Sequence, residues 1–411
     1  MAVLLTRRAV LQAAMESVYN DPASVTTADG ILVSDPMYTA DPSLLERDFT
    51  RDTLSQQSHI VGRMLAKMDF TTELRGNGKQ DSGALIDAPI ITRLFRACGY
   101  SITSKNAAWA TQVFEDGSHE NQVSWAAGGT LTNTEAIKYT ITVTTGGASG
   151  TAQITVTSDT AGEGVAANMI TTATSESIGT WGLTLTPTFT GTLVTGQRWH
   201  VWLMPSGLLM KPVSSSMESL TLVMNKDGVK HVMPGAFGTF EITATAGEYA
   251  SIKWTFTGTY QASTDAALPS PVYERTLPSQ VESARLFIDD FAAIVEKFSF
   301  NQNNDVQVRP DVNSEQGYIG TRIVSRKPEG GIDPEATLVA DYDFWGKLRN
   351  ATRMPFQMRV GTETGNTIWV IGPSTQYTRM TYQDRQGLLT YDAGLKFAGY
   401  QADDEVMFFF A

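Results

Sequence analysis

Apolar and polar residues alternate along much of this chain. Tyr139-Thr140-Ile141-Thr142-Val143 alternates, the chain turns through Gly146–Gly150, and alternation resumes over Ala152–Thr157. Trp181–Thr186 and Arg198–Trp202 repeat the pattern. Side chains two apart share one face of a strand, so this period predicts half-buried β-strands joined by glycine-rich turns. Two segments break the period. In Ala88–Gly99, the residues Ile90, Ile91, Leu94, Phe95 and Cys98 form the single apolar stripe of a helix. Asp87 is placed to cap it, Pro89 suits its first turn and Gly99 ends it. A second helix is predicted over Val339–Asn350, with Phe344, Trp345 and Leu348 on one face. Nearly everything else reads as strand or loop, so the fold class is mainly β.

Composition divides the chain further. Between Gly128 and His200 stand 21 threonines and only six charged residues. Both flanking regions are mixed and more highly charged. Threonine-rich alternation with glycine turns predicts a small β-sandwich over residues 128–203, inserted into an exposed loop of the surrounding fold. Gly128-Gly129 and Pro205-Ser206-Gly207 read as its hinges. Ala266–Pro271, with Pro278 beyond it, reads as an extended, semi-rigid linker.

The two flanking regions share a pattern. Arg51, Leu54, Val61 and Gly62 line up with Arg309, Val312, Ile319 and Gly320 at one offset, 258. Each segment is a polar stretch ending in a strand-like run, and each is followed by one of the two helices. Each half then ends in a strand with a Tyr-Gln-Ala tail, Tyr260–Ala262 and Tyr400–Ala402. The shared order predicts a duplication. The division expected is residues 1–127 plus 204–265 as one unit, 128–203 as the insert, 266–282 as linker and 283–411 as a second unit.

Charge and rare residues narrow the chemistry. The chain carries 31 Lys+Arg against 43 Asp+Glu, a formal net charge of −12 over 411 residues. Tight wrapping of nucleic acid needs clustered cations, which are absent here. One cysteine, Cys98, excludes an internal disulfide, and His59, His119, His200 and His231 lack ligand spacing, so no metal or cofactor is expected. Asp289-Asp290 and Asp403-Asp404 are paired carboxylates, read as solvated edges rather than acid–base pairs. Gly76–Gly83 is glycine-rich but lacks the spacing of a phosphate loop. Met204, Met210, Met217, Met224 and Met233 read as core filling. No apolar run approaches the length of a membrane helix. Arg7-Arg8 follow the short apolar Met1–Leu5, the reverse of a secretory signal, so the chain is expected to stay in the cytoplasm where it is made.

Several ordered segments together resemble the major tail tube proteins of long, non-contractile-tailed (siphovirus-type) bacteriophages. They are Glu46-Arg47-Asp48, Leu94–Gly99, Trp254–Tyr260, Thr264–Pro269, Arg326–Ala336, Asp343–Lys347 and Tyr382–Tyr391. The threonine-rich insert resembles the immunoglobulin-like domains that decorate phage particles. The resemblance implies two tandem tube-type β-sandwich or barrel domains, each with a flanking helix, and no enzymatic activity. It implies a virion protein whose rings stack into the tail tube, the conduit for genome ejection. A tail terminator or tail-tip ring protein of the same fold, or an adhesive carbohydrate-binding protein acting through the insert, is the alternative. Two tube domains per chain imply a homotrimeric, pseudo-hexameric ring, with a hexamer as the other arithmetic. The implied partners are further copies of the chain, tape measure protein and double-stranded DNA in the lumen, tail terminator and tail-tip proteins, and host surface glycans at the insert. In a tube, the polar segments Asp41–Ser58 and Asn301–Gln316 become arms lying on a neighbouring ring. That makes Glu46, Arg47, Asp48, Arg51, Arg309 and Asp311 candidate inter-ring or inter-subunit contacts.

Overall fold

Alternating residues organise the two flanking parts of the chain into one long antiparallel sheet, with smaller sheets beside it. The computed structural model describes residues 4–79, 88–116, 122–159, 163, 169–170 and 174–411. Asp87, His119 and Gln80–Gly83 lie outside the described residues. The first part contributes β1 (Ala9–Met15), β2 (Ser34–Leu45), β3 (Ile60–Glu73), α1 (Ile91–Ala97) and β4 (Tyr100–Lys105). After the threonine-rich region come β5 (Gly207–Pro212), β6 (Leu220–Lys226), β7 (Val229–Thr245) and β8 (Ser251–Thr259). The second part contributes β9 (Val295–Asn301), β10 (Asn304–Pro310), β11 (Tyr318–Arg326) and β12 (Glu329–Pro334). It ends with α2 (Phe344–Arg349), β13 (Met354–Val360), β14 (Ile368–Arg385), β15 (Leu388–Ala398) and β16 (Met407–Phe410). The architecture is mainly β with two short helices.

Antiparallel pairing runs through β2-β3-β8-β7 and continues without a break into β9-β12-β15-β14. The two parts follow the same course. β6 pairs the early stretch of β7, as β13 pairs the early stretch of β14. β16 adds a second join, pairing β5 of the first part and β14 of the second.

One face of this sheet is apolar because alternate residues are. Ile252, Trp254 and Phe256 of β8 are buried while Lys253 between them is exposed. Phe70, Phe240, Trp254, Phe300, Phe397 and Phe408 belong to one continuous core drawn from both parts. Helix α1 inserts Phe95 into its centre, with ring centroids 4.9 Å from Phe240, 5.0 Å from Trp254 and 5.0 Å from Phe408. Cys98 is buried on the same helix face, and burial pushes its thiol well above the ordinary range. The α1 amide of Ile90 donates to Glu274 Oε1 at 2.8 Å, and Gly99 ends the helix at φ +85°. α2 is shorter than its pattern predicts. Asp343 caps it by accepting from Gly346 N, and only Phe344 is fully buried, Trp345 facing outward.

The threonine-rich region forms its own core between a six-stranded and a three-stranded sheet. Trp109–Ala110 and Phe114–Glu115 pair onto its strand Arg198–Met204, and Val123–Gly128 joins the smaller sheet. Along Arg198–Met204 the period of two serves two masters. Trp199, Val201 and Leu203 point into the region's own core. Trp202 and Met204 point the other way, packing with Trp369, Ile371, Met407 and Phe409 of the second part. Trp202 Nε1 donates to Gln357 Oε1 at 2.8 Å, and Gln357 Nε2 to Asp159 Oδ2 at 2.7 Å. The flank Pro205–Gly207 is therefore held between packed strands rather than swinging as a hinge.

Phe95 touches more aromatic rings than any helix residue here, from both parts at once. Phe95→Ala is expected to cost about 3–5 kcal/mol by transfer and cavity terms. Urea unfolding followed by tryptophan fluorescence measures it, and a loss below about 1 kcal/mol contradicts the shared core.

Candidate assembly interface

Every strand in the eight-strand row has two neighbours except the two at its ends. β7 pairs β8 over Phe237–Thr243 on one side and β9 over Glu241–Thr245 on the other. β14 pairs β15 over Ser374–Arg385, and its opposite side is taken by β13 only as far as Thr375. Beyond that point no strand among the described residues covers it. β2 likewise pairs β3 alone. Both bare edges carry large side chains in solvent. Met37 of β2 is 59% exposed and Tyr382 of β14 is 56% exposed. Trp345 packs at 5.5 Å from Tyr382, which packs at 5.2 Å from Tyr391. Leu338, Val339, Leu388 and Leu389 extend this apolar surface. Unpaired edges are templates for another strand, and proteins normally cover or blunt them. Here Pro36 and Pro42 and two register shifts interrupt β2.

The polar segments divide between strand and turn. Glu46, Arg47, Asp48 and Arg51 are exposed on the segment joining β2 to β3, the tip of a long hairpin. Arg47 stacks 5.7 Å from the Phe49 ring, and Arg51 Nη2 donates to Ser55 O at 2.7 Å. Phe49 and Leu54 on this tip are exposed, as are Leu44, Leu45, Ile60 and Val61 on its stem. Half of the second segment is strand, Asn301 ending β9 and Asn304–Pro310 forming β10. Arg309 stands on β10, and Asp311 turns the chain by accepting from Asn313 N at 2.9 Å. The β10–β11 hairpin folds back onto the first part of its own chain. Tyr318 Oη donates to Met64 O at 2.6 Å, Thr321 Oγ1 to Gly235 O at 3.1 Å, and Asn304 Nδ2 to Cys98 O at 2.7 Å. Gly320, at φ +128°, lets Tyr19 approach, since a Cβ there would lie 2.0 Å from its hydroxyl. The two candidate groups thus sit on separate hairpins, one docked and one projecting beyond the last β3–β8 pair.

The face of the row opposite the core is polar and of both signs. Glu241 stands across from Lys253, and Glu329 across from Lys396. Threonines, serines and glycines fill the positions between, such as Thr243 opposite Ser251 and Gly331 opposite Gly394.

The paired carboxylates are structural anchors rather than solvated edges. Asp289 is buried, and Lys347 of α2 reaches its Oδ2 at 2.8 Å. Arg198, from the threonine-rich region, bonds both Asp289 and Asp290. Lys138 donates to Asp289 O at 2.7 Å and to Asp290 Oδ1 at 2.9 Å, and Thr140 Oγ1 donates to the same oxygen at 2.9 Å. Thr140 also meets His200 Nδ1 at 3.1 Å. Burial by itself would raise both carboxyls. Arg198 and Lys347 overcome it at Asp289, and Lys138, His200 and Arg198 at Asp290, so both sit below the ordinary range. Burial and the Lys138 charge pull His200 down to about 3. Asp404 is buried too, accepting from Tyr400 N at 2.8 Å, while Asp403 pairs with Arg326. Sequence patterning could not reveal the ion pairs, because each joins residues more than 50 positions apart, Asp404 alone being held by a near neighbour, Tyr400. Lys138 and Arg198, two of the few charges in a threonine-rich stretch, were the available signal.

Because all three depressed groups favour the folded form at high pH, acid should loosen this joint. His200 contributes fully above its ordinary 6.5 and loses that contribution between 6.5 and about 3. The carboxylates contribute above 3.8 and lose it as pH falls through their lowered values. Hydrogen exchange at Trp202 and Gln357 should accelerate, after correction for intrinsic rates, as pH falls from 7 to 4. His200→Asn should flatten that part of the profile. A flat profile in the unaltered protein would refute the assignment.

Among the described residues, no group of three or more His, Cys, Asp or Glu is placed to hold a metal ion. No helix among them is long and apolar enough to cross a membrane. Comparison with curated proteins returns no match. The family model described as phage tail tube protein matches residues 6–393, nearly the whole chain and both parts of the sheet. A structural family of this kind points to a virion component rather than an enzyme, and to self-assembly into a tube. The chain belongs to the phage tail tube protein family.

Proposed function

We propose that three copies of this chain close into a pseudo-sixfold ring, and that rings stack to form the conduit through which the phage genome leaves. The observation that carries this reading is the row of eight strands with two bare, opposite ends. Each chain contains two four-strand sets already joined edge to edge. Joining copies head to tail repeats that geometry, and closure alone removes the last free edges. Two equivalent sets per chain favour three chains over six.

The outer end of the β2–β3 hairpin, beyond the last β3–β8 pair at Leu65, supports a stacking role. Its tip carries Glu46, Arg47, Asp48 and Arg51 beside exposed Phe49 and Leu54, a mixed surface suited to a neighbouring ring. Arg309 and Asp311 take the corresponding place on the docked hairpin. The polar face of the row suits a channel wall. Its hydroxyls and facing opposite charges offer DNA few unpaired cations, so phosphates find little to hold them. The excess negative charge adds repulsion around the lumen. Tape measure protein and double-stranded DNA would occupy that lumen in turn, and terminator and tip proteins would meet the end rings. Assembly takes place in the host cytoplasm and the product resides in the virion tail of a siphovirus-type particle.

The chain divides in this reading into two tube domains, residues 1–127 plus 204–265 and residues 283–411, with 266–282 as the connecting strap, except that Trp109–Ala110, Phe114–Glu115 and Val123–Gly128 pair into the graft instead. The graft is built around residues 128–203, reinforced by the short strands from Trp109 onward. It resembles an immunoglobulin-like decoration, faces outward, and is the part available to host glycans. A domain of that size pointing inward would block the channel.

Electron microscopy of concentrated protein tests the reading. Tubes with threefold symmetry and three external knobs per ring are expected. Six equivalent knobs would overturn the trimer, and a monodisperse monomer at high concentration would overturn the tube.

A further inference from the structure

The join inside the chain specifies the register of the join between chains. This inference rests on the ring reading and adds to it which residues meet. Inside the chain, β7 and β9 pair as Glu241↔Asn301, Ile242↔Phe300, Thr243↔Ser299, Ala244↔Phe298 and Thr245↔Lys297. Ile242 and Phe300 face the core and are fully buried there.

Two landmarks carry this pairing onto the bare edges. The first is where the early neighbour leaves the long strand. Leu220 opposite Ala236 ends the β6–β7 pairing, and Met354 opposite Thr375 ends the β13–β14 pairing. Ala236 therefore corresponds to Thr375. Counting onward past the register shift between Tyr377 and Arg379 makes Thr381 the counterpart of Glu241 and Tyr382 the counterpart of Ile242. Facing partners agree, since Glu241 opposes Lys253 and Thr381 opposes Asp392.

The second landmark crosses the row. Phe237 opposes Thr257, which opposes Lys67, which opposes Thr39. In the second part Gln376 opposes Lys396, which opposes Glu329, which opposes Asn301. Thr39 is thus the counterpart of Asn301, and Tyr38 that of Phe300. Tyr38 already lies against the core and stacks on His231 at 4.2 Å.

We infer that β14 of one copy pairs antiparallel with β2 of the next as Thr381↔Thr39, Tyr382↔Tyr38 and Gln383↔Met37, ending with Arg385 near Asp35. The side chains fit this register. Tyr382 and Tyr38 fall on the core face, where the internal join places Ile242 and Phe300. Burying them there covers the remaining exposed surface of Tyr382 and the adjacent Trp345, which in the single chain pack on each other and on Tyr391. Thr381, Thr39, Gln383 and Met37 fall on the opposite face with the threonines and serines of the row. At the end of the register Arg385 is already ion-paired within its own chain to Glu296 and Asp333, each at 3.0 Å, so Asp35 adds at most a second acidic neighbour there. Pro36 falls opposite Asp384, where the ladder lacks one donor.

Directly opposed residues in an antiparallel pair hold their Cβ atoms about 4.5–5.5 Å apart, against about 7–8 Å for the diagonal. The test uses the full-length chain carrying Gln383→Cys with Met37→Cys, and separately Thr381→Cys with Thr39→Cys. The control carries Gln383→Cys with Thr39→Cys, a diagonal pair. The native Cys98 is buried and leaves a clean background. Mild oxidation of assembled rings is expected to give covalent dimers and closed trimers for both opposed pairs, with at least ten-fold less product for the diagonal pair. Rings visible by electron microscopy with no link in either opposed pair overturn this register while leaving the ring intact. Absence of rings from the unaltered protein overturns the reading beneath it. A stronger link in the diagonal pair assigns a different register and overturns this one.

Discussion

The antiparallel join between β7 and β9 is the constraint on which the rest of the molecule depends. It is short, but it merges two hydrophobic faces into one. Had the two parts met face to face or through a linker alone, each would have needed its own complete core. Edge pairing instead lets Phe240 and Phe300 pack side by side at 5.8 Å, with Phe95 and Phe408 filling between them. Aromatic pairs of this geometry add to the gain from burial itself. The same pairing aligns the polar faces, so one side of the row is continuous and hydrophilic. A core on one side, a polar face on the other and an unpaired strand at each end all follow from one line of backbone hydrogen bonds.

Local periodicity made much of this legible. The strands at Ile137–Thr145 and Arg198–Met204, the stripe on α1 and the burial of Met204, Met210, Met224 and Met233 follow from alternation and spacing, whereas Met217 is only half-buried. The repeat was legible as order but not as register. The Tyr-Gln-Ala tails align at 140, whereas the sheet makes Thr257 the counterpart of Lys396, an offset of 139. A one-residue slip exchanges the two faces of a strand, so only the ladder itself could settle it. The polar segment Asn301–Gln316 misled in another way. Its residues are hydrophilic because β10 lies on the surface, yet pairing with β11 makes half of it a strand. Asp289 and Asp290 looked like a surface edge because adjacency in sequence says nothing about Lys138, Arg198 and Lys347. The candidate contacts were legible as exposed polar positions, while the bare edges beside them were not, since an edge is defined by what fails to pair with it.

The threonine-rich region shows how a graft becomes rigid. Its own core uses every other residue of Arg198–Met204, and the residues left over form the docking face. Apolar contact through Trp202 and Met204 supplies area, and the Lys138–Asp290–Arg198–Asp289 network supplies direction. Removing one partner from such a network costs more than the pair contributes, because the remaining charge stays partly desolvated. The graft is therefore fixed to the second part even though both its chain connections lead to the first.

The strap between the parts has a consequence for assembly kinetics. From Ala266 to Gln280 the chain runs outside any helix or strand, held by Val272 N to Thr27 O at 2.7 Å, Arg75 to Thr276 O at 2.6 Å and Asn366 to Leu277 O at 3.0 Å. A tether of this kind converts an encounter between two molecules into an intramolecular event at an effective concentration in the millimolar range. In a ring built from such chains, every second joint forms during folding, before any collision. Nucleation then depends on three bodies meeting instead of six, and its concentration dependence falls accordingly. In the proposed three-chain ring the joints would alternate in kind around the circle, one permanent and one reversible. A growing polymer made this way could correct a misplaced subunit only at three of the six boundaries of that proposed ring, those where β2 of one copy would meet β14 of the next.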